Sequence, residues 1–529
     1  MNRQLSILIC CAAMIGWTAP ACSQSADKPA SADSEYKKDV AKAVNEGWAK
    51  PPVEEALSTT THSVTVRGKK LTYTADAGTL TIRDNDAKPI ASVFYAAYTL
   101  GGGKPDPRRP VTFFYNGGPG SATIWLHMGS FAPIRVQTGD PVTMAPAPFD
   151  LAANPDTLLD KTDLVFIDAI GAGYSRPLGD AKGKDFWGVD QDVDAFTKAI
   201  LRYVTKFDRW NSPKYLFGES YGTTRSGAAA YQLQDRGMYL NGVILLSSIL
   251  NYGRRHPGYD EDFIQLFPTY AATALYHGKV AGSTQDIEAF LDKARSFARD
   301  VYAPALAKGD TISAQEKDDI ANQMSAMIGI DPTFIKNANL RVDLFSFRKE
   351  LLRDQRKTVG RLDSRYIGID PDASGDRPQY DAASTANAGA FVGAFQKYIV
   401  DALNYKTDLP YLVSARVAKD FDWDWKHKAP GSNYPQNMPD VAVDLGAAMR
   451  INPHLKVLSL NGYYDMATPF FATEYDVSHM MLEPAQKKNV EFRYYKSGHM
   501  VYLDPVSLHE LHEDLASFYD ETESSQAAQ

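Results

Sequence analysis

The sequence predicts an α/β protein with a doubly wound, mostly parallel sheet, an N-terminal antiparallel meander and a mainly helical insertion. Three observations predict this class. Short apolar runs recur along the chain, as in parallel strands that are buried on both faces. Helical stretches separate most of these runs, as between Asp190 and Phe207, and this alternation implies right-handed crossovers. Residues 62–100 instead alternate apolar and polar side chains, which is typical of antiparallel strands.

The meander is predicted to contain four strands separated by short polar turns. They are His62–Arg67, Lys70–Ala75, Thr79–Arg83 and Ile90–Leu100. The strands predicted for the parallel sheet are Val111–Tyr115, Asp163–Asp168, Tyr215–Phe217, Val243–Ser247, Lys456–Leu460 and Val490–Tyr495.

A helical insertion interrupts this alternation after the fourth of the sheet strands. Ser283 can cap a helix whose apolar residues follow i, i+3, i+4 spacing from Ile287. Ser313 with Glu316 makes a capping box for a second helix, and a third apolar pattern covers Val342–Leu352. The predicted segments are a signal peptide (1–21), a polar tether (22–61), the first part of the core (62–250), a helical cap (251–439), the second part of the core (440–520) and a disordered tail (521–529).

The composition restricts the partners. The 529 residues are 44% hydrophobic and 23% charged, with a formal net charge of −8. Nucleic acid or an anionic membrane would favour a basic face, so we expect neither as a partner. After the first 20 residues no apolar run is long enough to span a bilayer, and we expect no membrane span.

The N-terminus is typical of an export signal. Arg3 supplies the positive start, Leu5–Trp17 the apolar stretch and Ala19–Ala21 a small-residue cleavage site. We therefore expect a periplasmic or secreted protein. The three cysteines, Cys10, Cys11 and Cys22, leave the mature body without an internal disulfide. Cys22 directly follows the cleavage site, and lipidation there is the alternative.

Four loops that follow predicted sheet strands carry unusual residues. They are Asn116–Ser121 (Asn-Gly-Gly-Pro-Gly-Ser), Gly218–Gly222 (Gly-Glu-Ser-Tyr-Gly), Asn461–Asp465 and Ser497–Met500. The carboxyl ends of parallel strands meet at one edge of a doubly wound sheet, where ligands bind. Gly218–Gly222 has the pattern of a nucleophile elbow, a tight turn that lifts a serine above the sheet. By itself it would equally describe a glycine-rich turn.

These loops supply the parts of a serine hydrolase in the chain order Ser, Asp, His, which is the order of α/β-hydrolases. Ser220 is the candidate nucleophile, His499 the base that takes its proton, and Asp465 the group that orients the imidazole. The N–H groups of Tyr221 and Gly118 are the candidate oxyanion donors. Alone, His499 would be read as a core or surface histidine and Asp465 as a turn residue. Their joint placement at strand ends favours the catalytic interpretation.

Together these motifs resemble the serine carboxypeptidase family, as does the stretch Asp168–Ser175 before the elbow. The resemblance implies an α/β-hydrolase fold with a helical insertion, no cofactor or metal, and hydrolysis of the last peptide bond of substrates with a free C-terminus. It also implies a carboxylate-binding site at Asn116, Gly117 and Glu219, with Met500 in the cleft. Two like charges cannot persist in contact, so binding by Glu219 would require one protonated carboxyl group and favour acid pH.

The sequence departs from the family at two points of this site. Ser130 falls where a second glutamate is usual, and Phe114 and Tyr115 stand where a tryptophan precedes the Asn. The missing disulfides suggest a bacterial branch. An esterase or acyltransferase with the same triad is the alternative within enzymes, and a non-catalytic binding protein is the alternative from another class. Trp423 and Trp425 in the insertion are candidates either for the cleft or for core packing.

Overall fold

The computed structural model describes residues 51–102, 106–138 and 147–527, with side chains as far as residue 522. The predicted signal peptide, Cys22 and most of the predicted tether lie in residues 1–50, outside the described residues. Within the described ranges, no helix is long and apolar enough to span a membrane.

The strands are β1 (Leu57–Val66), β2 (Lys69–Arg83), β3 (Pro89–Leu100), β4 (Val111–Tyr115), β5 (Ile134–Val136), β6 (Leu151–Ala153), β7 (Asp163–Ile167), β8 (Arg176–Pro177), β9 (Lys214–Glu219), β10 (Gly242–Leu246), β11 (Lys357–Val359), β12 (Ile367–Ile369), β13 (Lys456–Gly462) and β14 (Val490–Tyr495). The α-helices are α1 (Ile124–Gly129), α2 (Val189–Lys206), α3 (Tyr221–Asp235), α4 (Glu261–Tyr276), α5 (Ile287–Phe297), α6 (Ala303–Ala307), α7 (Ala314–Ile328), α8 (Pro332–Asn337), α9 (Leu344–Glu350), α10 (Ala382–Asp401), α11 (Ala442–Ile451), α12 (Phe470–Ser478), α13 (Pro484–Lys487) and α14 (Pro505–Ala527).

One large sheet organises the described chain. Its strand order is β1-β2-β3-β7-β4-β9-β10-β13-β14, and β8 pairs with β3. The six strands from β7 to β14 are parallel to one another, whereas β1, β2 and β3 are antiparallel. The predicted doubly wound sheet with an N-terminal meander is confirmed. All six parallel strands were predicted to within a few residues because most of them are compact apolar runs; β14 instead carries Glu491 and Arg493 and is only partly buried.

Apolar side chains cover both faces of the sheet. On β4, Phe113 and Tyr115 enter one buried cluster with helices α2 and α3, while Phe114 enters the other with α1, α10 and α14. The period of two in a strand causes this alternation. Since both faces are covered, the carboxyl edge of the parallel strands is where polar side chains can meet a ligand.

The meander has three long strands where four were predicted. Residues 76–78 were read as a turn, but they lie within β2 and pair with β1 on one side and β3 on the other. A Cβ on Gly78 would lie 2.5 Å from the carbonyl oxygen of Ala56. The glycine is therefore required for close packing between strands, and it does not mark a turn.

Regular secondary structure extends into both predicted polar ends. Strand β1 begins at Leu57, inside the predicted tether, and Glu55 binds Arg202 and Lys206 of α2 at 2.8 and 2.9 Å. At the other end, α14 continues to Ala527, so the predicted disordered tail is helical as far as that residue. The Thr522 hydroxyl accepts a hydrogen bond from Tyr215 at 2.9 Å, which ties this helix to β9.

The segment between β10 and β13 is mainly helical, and the helices α4 to α11 occur in it. Ser283 caps a short 3-10 turn that leads into α5, and Ser313 accepts the N–H of Glu316 at 3.1 Å at the start of α7. The segment has its own buried cluster, which also includes Tyr463 and Phe470 from the core. A strap, residues 412–427, then runs back over the sheet edge, with β-bridges from Leu412 to Gly173 and from Ser414 to Ser121.

A buried ion network ties the sheet together at the opposite, amino end of β7. The Asp163 carboxylate accepts hydrogen bonds from Arg209 at 2.7 Å, from Arg109 at 2.9 Å and from the Leu100 N–H at 3.0 Å. Asp163 and Arg209 are fully buried. Removal of one member would leave an uncompensated charge in the core, which costs about 3–5 kcal/mol.

We therefore expect Asp163→Ala to lower the apparent thermal unfolding midpoint by several degrees. The matched control is Asp180→Ala, which removes the surface pair with Lys88, where Asp180 is 92% exposed. Surface pairs contribute little, so the control midpoint should stay close to that of the wild type. Equal shifts in the two variants would show that the buried network has no special role in stability.

Candidate active site

Ser220 lies on a strained turn between the end of β9 and the start of α3. Its φ is 61° and its ψ −131°, a conformation that residues with a side chain rarely adopt. A Cβ on Gly218 would lie 2.2 Å from the Gly222 carbonyl oxygen, and one on Gly222 would lie 2.7 Å from the Tyr115 carbonyl oxygen. The turn therefore requires both glycines. The Ser220 N–H donates to the Leu246 carbonyl at 3.0 Å, which fixes the turn against β10.

The double-glycine loop after β4 packs directly on this turn. A Cβ on Gly117 would lie 2.3 Å from the Tyr221 nitrogen and 2.7 Å from the Gly222 nitrogen. Gly118 has a φ of 107°, which favours glycine. The Tyr221 N–H is the first of α3 and has no partner within its helix. Neither it nor the Gly118 N–H donates to another described residue, so both donors are available to a ligand.

A buried arginine fixes the base of the same loop. Arg225 on α3 donates to the Asn116 carbonyl at 2.9 Å and to both oxygens of Asp192 on α2 at 2.7 and 3.1 Å. On the other side, the Ala415 N–H of the strap donates to the Gly120 carbonyl at 2.7 Å. The loop is therefore held by α3 from below and by the strap from above.

Asp465 and His499 form a hydrogen-bonded pair at the ends of β13 and β14. The Asp465 Oδ2 lies 2.7 Å from His499 Nδ1 and accepts the Thr468 hydroxyl at 2.6 Å. The Asp465 Oδ1 accepts the N–H groups of Ala467 and Thr468 at 2.8 and 3.1 Å. Because the carboxylate binds the Nδ1 proton, the neutral ring has its acceptor at Nε2.

Strand β10 brings His499 and Ser220 to one place. The backbone of Leu246 accepts the Ser220 N–H, and the next residue, Ser247, donates its hydroxyl to the His499 carbonyl at 2.6 Å. Ser220 is partly exposed, and His499 is 5% exposed. No hydrogen bond between the Ser220 hydroxyl and the imidazole occurs among the described residues. Such bonds are often long without substrate and tighten when it binds.

Glu219 lies beside the serine as a buried carboxyl group. Its Oε2 accepts the Tyr502 hydroxyl at 2.8 Å. Burial raises the pKa of Glu219 to about 7, although the charged form of His499 and hydrogen bonds from Tyr502 and Asn116 oppose the rise. The Asn116 Oδ1 accepts the Leu126 N–H at 3.0 Å, so the amide nitrogen is the end that remains to donate.

His499 and Glu219 titrate as neighbours. Burial disfavours the charged imidazolium, but the carboxylates of Asp465 and Glu219 outweigh it, and the pKa of His499 is raised. Each group therefore favours the charged form of the other.

The other predicted site residues fall into different surroundings. The Ser130 hydroxyl is buried and donates to the Leu126 carbonyl at 2.6 Å, so it offers nothing to a ligand. Met500 is 9% exposed and lies in the apolar cluster below the sheet edge. Trp423 packs edge-on against Tyr221, with ring centroids 5.2 Å apart, so it supports the elbow.

Two residues that contribute to the site were not found from the sequence. Thr468 follows Asp465 by three residues, and Tyr502 follows His499 by three. A hydroxyl residue shortly after a polar strand end was the available signal in both cases. Tyr502 and Glu219 are 283 residues apart in the chain, and a linear pattern does not reveal their pairing.

The serine carboxypeptidase (peptidase S10) family model matches residues 68–503. The chain belongs to the serine carboxypeptidase family. It is a serine-type carboxypeptidase, and the strand order described above is consistent with an α/β-hydrolase fold. A comparison with curated proteins gives no match.

Several solved structures are similar to this carboxypeptidase over most of their length. A prohormone-processing carboxypeptidase of Saccharomyces cerevisiae is 14% identical, with 85% of this chain and 91% of that chain covered and a TM-score of 0.49. A proline iminopeptidase of Mycobacterium smegmatis is 14% identical, with 85% and 99% covered and a TM-score of 0.35. A carboxyl esterase of Bacillus coagulans is 10% identical, with 84% and 98% covered and a TM-score of 0.32.

The packing of Gly117 leads to a testable prediction. In Gly117→Ala the new methyl group would displace the backbone of Tyr221, since the atoms it meets cannot rotate away. Loss of one oxyanion donor costs about 10²–10³ in rate, and we expect kcat to fall by at least about 10² in a folded protein. The measurement is kcat for a small acyl ester, with the circular dichroism spectrum as the check on folding.

The matched control is Gly102→Ala, because a Cβ there has no neighbour within 4 Å and Gly102 has no positive φ. It should keep the wild-type kcat. A Gly117→Ala enzyme with nearly full kcat would mean that the contact with the elbow does not control the chemistry.

Proposed function

We propose that this protein releases C-terminal residues from peptides through an acyl-enzyme intermediate, with Ser220, His499 and Asp465 as its triad. The observation that carries the proposal is the 2.7 Å contact between Asp465 Oδ2 and His499 Nδ1, at the sheet edge where the serine is held on a strained turn. It supports the tautomer in which Nε2 of the neutral imidazole is free to accept a proton.

In the first half of the proposed reaction, Ser220 Oγ attacks the carbonyl carbon of the last peptide bond. Its proton passes to His499 Nε2, and the Asp465 carboxylate stabilises the resulting imidazolium. The N–H groups of Gly118 and Tyr221 receive the negative oxygen. The C–N bond then breaks, and His499 returns the proton to the leaving amine.

In the second half, water replaces the released amino acid. His499 takes a proton from the water, whose oxygen attacks the acyl carbon. The bond to Ser220 Oγ breaks, and the serine recovers its proton from His499. The products are an amino acid and a peptide shortened by one residue.

Asn116, Gly117 and Glu219 are the proposed site for the C-terminal carboxylate of the substrate. Asn116 would donate its amide nitrogen, and Glu219 would donate a proton in its neutral form. Glu219 is 3% exposed and its pKa is about 7, so a neutral carboxyl group is available below that pH. Met500 is proposed as a neighbour of the bound residue.

We also propose that the protein is exported, to the periplasm or outside the cell, after removal of residues 1–21, and that it comes from a bacterial branch of the family. The apolar stretch with a small-residue cleavage site and the absence of cysteines after Cys22 support this. Lipidation at Cys22 is the alternative, and the mass of the mature N-terminus distinguishes the two.

An esterase or acyltransferase with the same triad is the second candidate. The observation that favours it is Ser130, whose buried hydroxyl is bound to Leu126 where the family has a glutamate. The carboxylate site is therefore incomplete by the family pattern. Small acyl esters that turn over faster than any peptide would favour this candidate.

The first test compares one peptide with a free and an amidated C-terminus. The wild type should release the terminal residue from the free form at least about tenfold faster, because only that form pairs with Asn116 and Glu219. Ser220→Ala should remove this activity and labelling by a fluorophosphonate. Equal cleavage of the two peptides would contradict the carboxypeptidase proposal, while loss of labelling would still identify the nucleophile.

The second test uses pH. Glu219 must be protonated to bind a carboxylate, so kcat/KM for free peptides should fall as pH rises above about 7. Glu219→Gln donates a hydrogen bond at every pH, and we expect it to abolish this alkaline fall. The neutral form of His499 is needed in both enzymes, so the fall on the acid side should remain. An alkaline fall that is unchanged in Glu219→Gln would assign it to another group.

Tyr502→Phe tests the same assignment with a smaller change, because it should shift the alkaline fall without abolishing it. The Tyr502 hydroxyl stabilises the ionised form of Glu219, so its removal should raise the pKa of Glu219 and move the alkaline fall upward by about one pH unit. The matched control is Tyr302→Phe, whose buried hydroxyl donates to Leu340 within the insertion and which should leave the profile in place. A downward movement in Tyr502→Phe would contradict the assigned role.

A further inference from the structure

We propose that this enzyme selects peptides with an acidic side chain close to the scissile bond, through an arginine rim formed by Arg255, Arg361 and Arg416. The inference rests on the proposed function and adds a substrate class to it. The three guanidinium groups come from separate segments, and each segment contacts the catalytic loops.

Arg255 lies in the loop after β10 and is exposed. It donates to the Ala467 carbonyl at 2.6 Å, two residues after Asp465. Its guanidinium also lies 5.7 Å from the centre of the Tyr252 ring. No described carboxylate lies within ion-pair distance of it. Arg255 is therefore a positive charge that is held in position beside the Asp465 loop and has no compensating anion among the described residues.

Arg361 comes from the insertion, and its backbone contacts the loop that carries Asp465. Its carbonyl accepts the Met466 N–H at 3.1 Å, and the carbonyl of the next residue, Leu362, accepts the His499 N–H at 2.6 Å. The Arg361 side chain is 37% exposed, and its Nε lies 3.9 Å from Oδ2 of its ion-pair partner, Asp381. Asp381 already accepts the backbone N–H groups of Arg361, Leu362 and Ala383, so it compensates the Arg361 guanidinium only in part.

Arg416 reaches the site from the strap. The preceding residue, Ala415, binds the Gly120 carbonyl at 2.7 Å, so Arg416 lies next to the double-glycine loop. Its guanidinium is exposed and lies 5.3 Å from the centre of the Phe421 ring. Like Arg255, it has no ion pair with a described residue.

The charge of Arg255 acts on Arg361 and, together with Arg416, on Tyr252. Burial lowers the pKa of Arg361, the Asp381 carboxylate opposes this, and the charge of Arg255 lowers it further. Burial raises the pKa of Tyr252, and Arg255, Arg254 and Arg416 oppose the rise. Arg254 itself is buried and bonded to Gln265 at 3.1 Å, so it is not available to a ligand. Three positive charges therefore lie beside the catalytic loops, two of them without an ion pair among the described residues, although the chain as a whole carries a net charge of −8.

Guanidinium groups bind carboxylates through paired, charge-assisted hydrogen bonds. A peptide could present either an Asp or Glu side chain or its terminal carboxylate. Glu219 and Asn116 form a separate polar pair with Tyr502, and no rim arginine donates a hydrogen bond to Glu219 among the described residues. We therefore assign the rim to the acidic side chain.

The experiment measures peptide binding to Ser220→Ala by calorimetry, so that it does not depend on turnover. Matched peptides carry Glu or Gln at the penultimate or the last position, each with a free or an amidated C-terminus. We expect the Glu form to bind about tenfold more tightly at one of the two positions, which corresponds to one charge-assisted pair. The preference should weaken as salt is raised, since these charges are exposed.

Arg255→Gln combined with Arg361→Gln should reduce the ratio of Glu to Gln affinities to about one. The matched control is Arg83→Gln, because Arg83 is also exposed and also donates to a backbone carbonyl, that of Ala87 at 2.8 Å, but on the distant meander. It should keep the wild-type ratio.

Equal affinities for the Glu and Gln peptides, or a ratio that survives the double substitution, would overturn the rim. A ratio that disappears on amidation would also overturn it, because the arginines would then bind the terminal carboxylate. Turnover by the wild-type enzyme reports separately on the proposed function. Release of terminal residues without a Glu preference would contradict the rim and leave the proposed function intact. A Glu preference in binding without any turnover would contradict the proposed function and support the rim as a binding site for acidic side chains.

Discussion

The close approach of three backbone segments around Ser220 is the constraint on which the site depends. Gly117, Gly218 and Gly222 each face a backbone atom that a Cβ would approach to within 2.2–2.7 Å. Backbone atoms cannot rotate away as side chains do, so these positions admit only glycine without movement of the main chain. The result is a serine above the sheet with the N–H groups of two loops next to it. Strain at Ser220 persists because β10, α3 and the double-glycine loop all determine its conformation.

The same edge of the sheet collects several ionisable groups in a space with little water. Asp465, His499 and Glu219 are each at most 5% exposed. In such surroundings a charge persists only with a partner, and the three groups differ in how many partners they have. The Asp465 carboxylate accepts hydrogen bonds from two backbone N–H groups, from a hydroxyl and from the imidazole. Glu219 accepts the Tyr502 hydroxyl and is stabilised in its charged form by Asn116 and by the charge of His499. This difference separates a carboxylate suited to orienting a histidine from a carboxyl group that can carry a proton near neutral pH.

The insertion and the strap complete the site rather than only covering it. Leu362 of the insertion binds the backbone of His499, and Ala415 of the strap binds the double-glycine loop. A buried His427 also ties the strap to the core, with its two nitrogens 2.6 and 2.9 Å from Asp190 and Asp444. Changes in these segments would therefore alter both the position of the catalytic loops and the charges at the mouth. In our interpretation, the loops at the sheet edge carry the catalytic residues, and the insertion and the strap determine which substrates bind.

The sequence alone determined the elements whose signals are local. Apolar runs such as Val111–Tyr115 identify buried strands because burial on both faces excludes polar residues. Glycine pairs at fixed spacing identify the elbow because only glycine fits there. Tertiary structure decided everything that depends on distant segments. It made Gly78 a packing residue within a continuous strand, paired Tyr502 with Glu219, and placed three arginines from distant loops beside the catalytic loops. Those contacts arise from how strands and crossovers stack, and no interval along the chain encodes them.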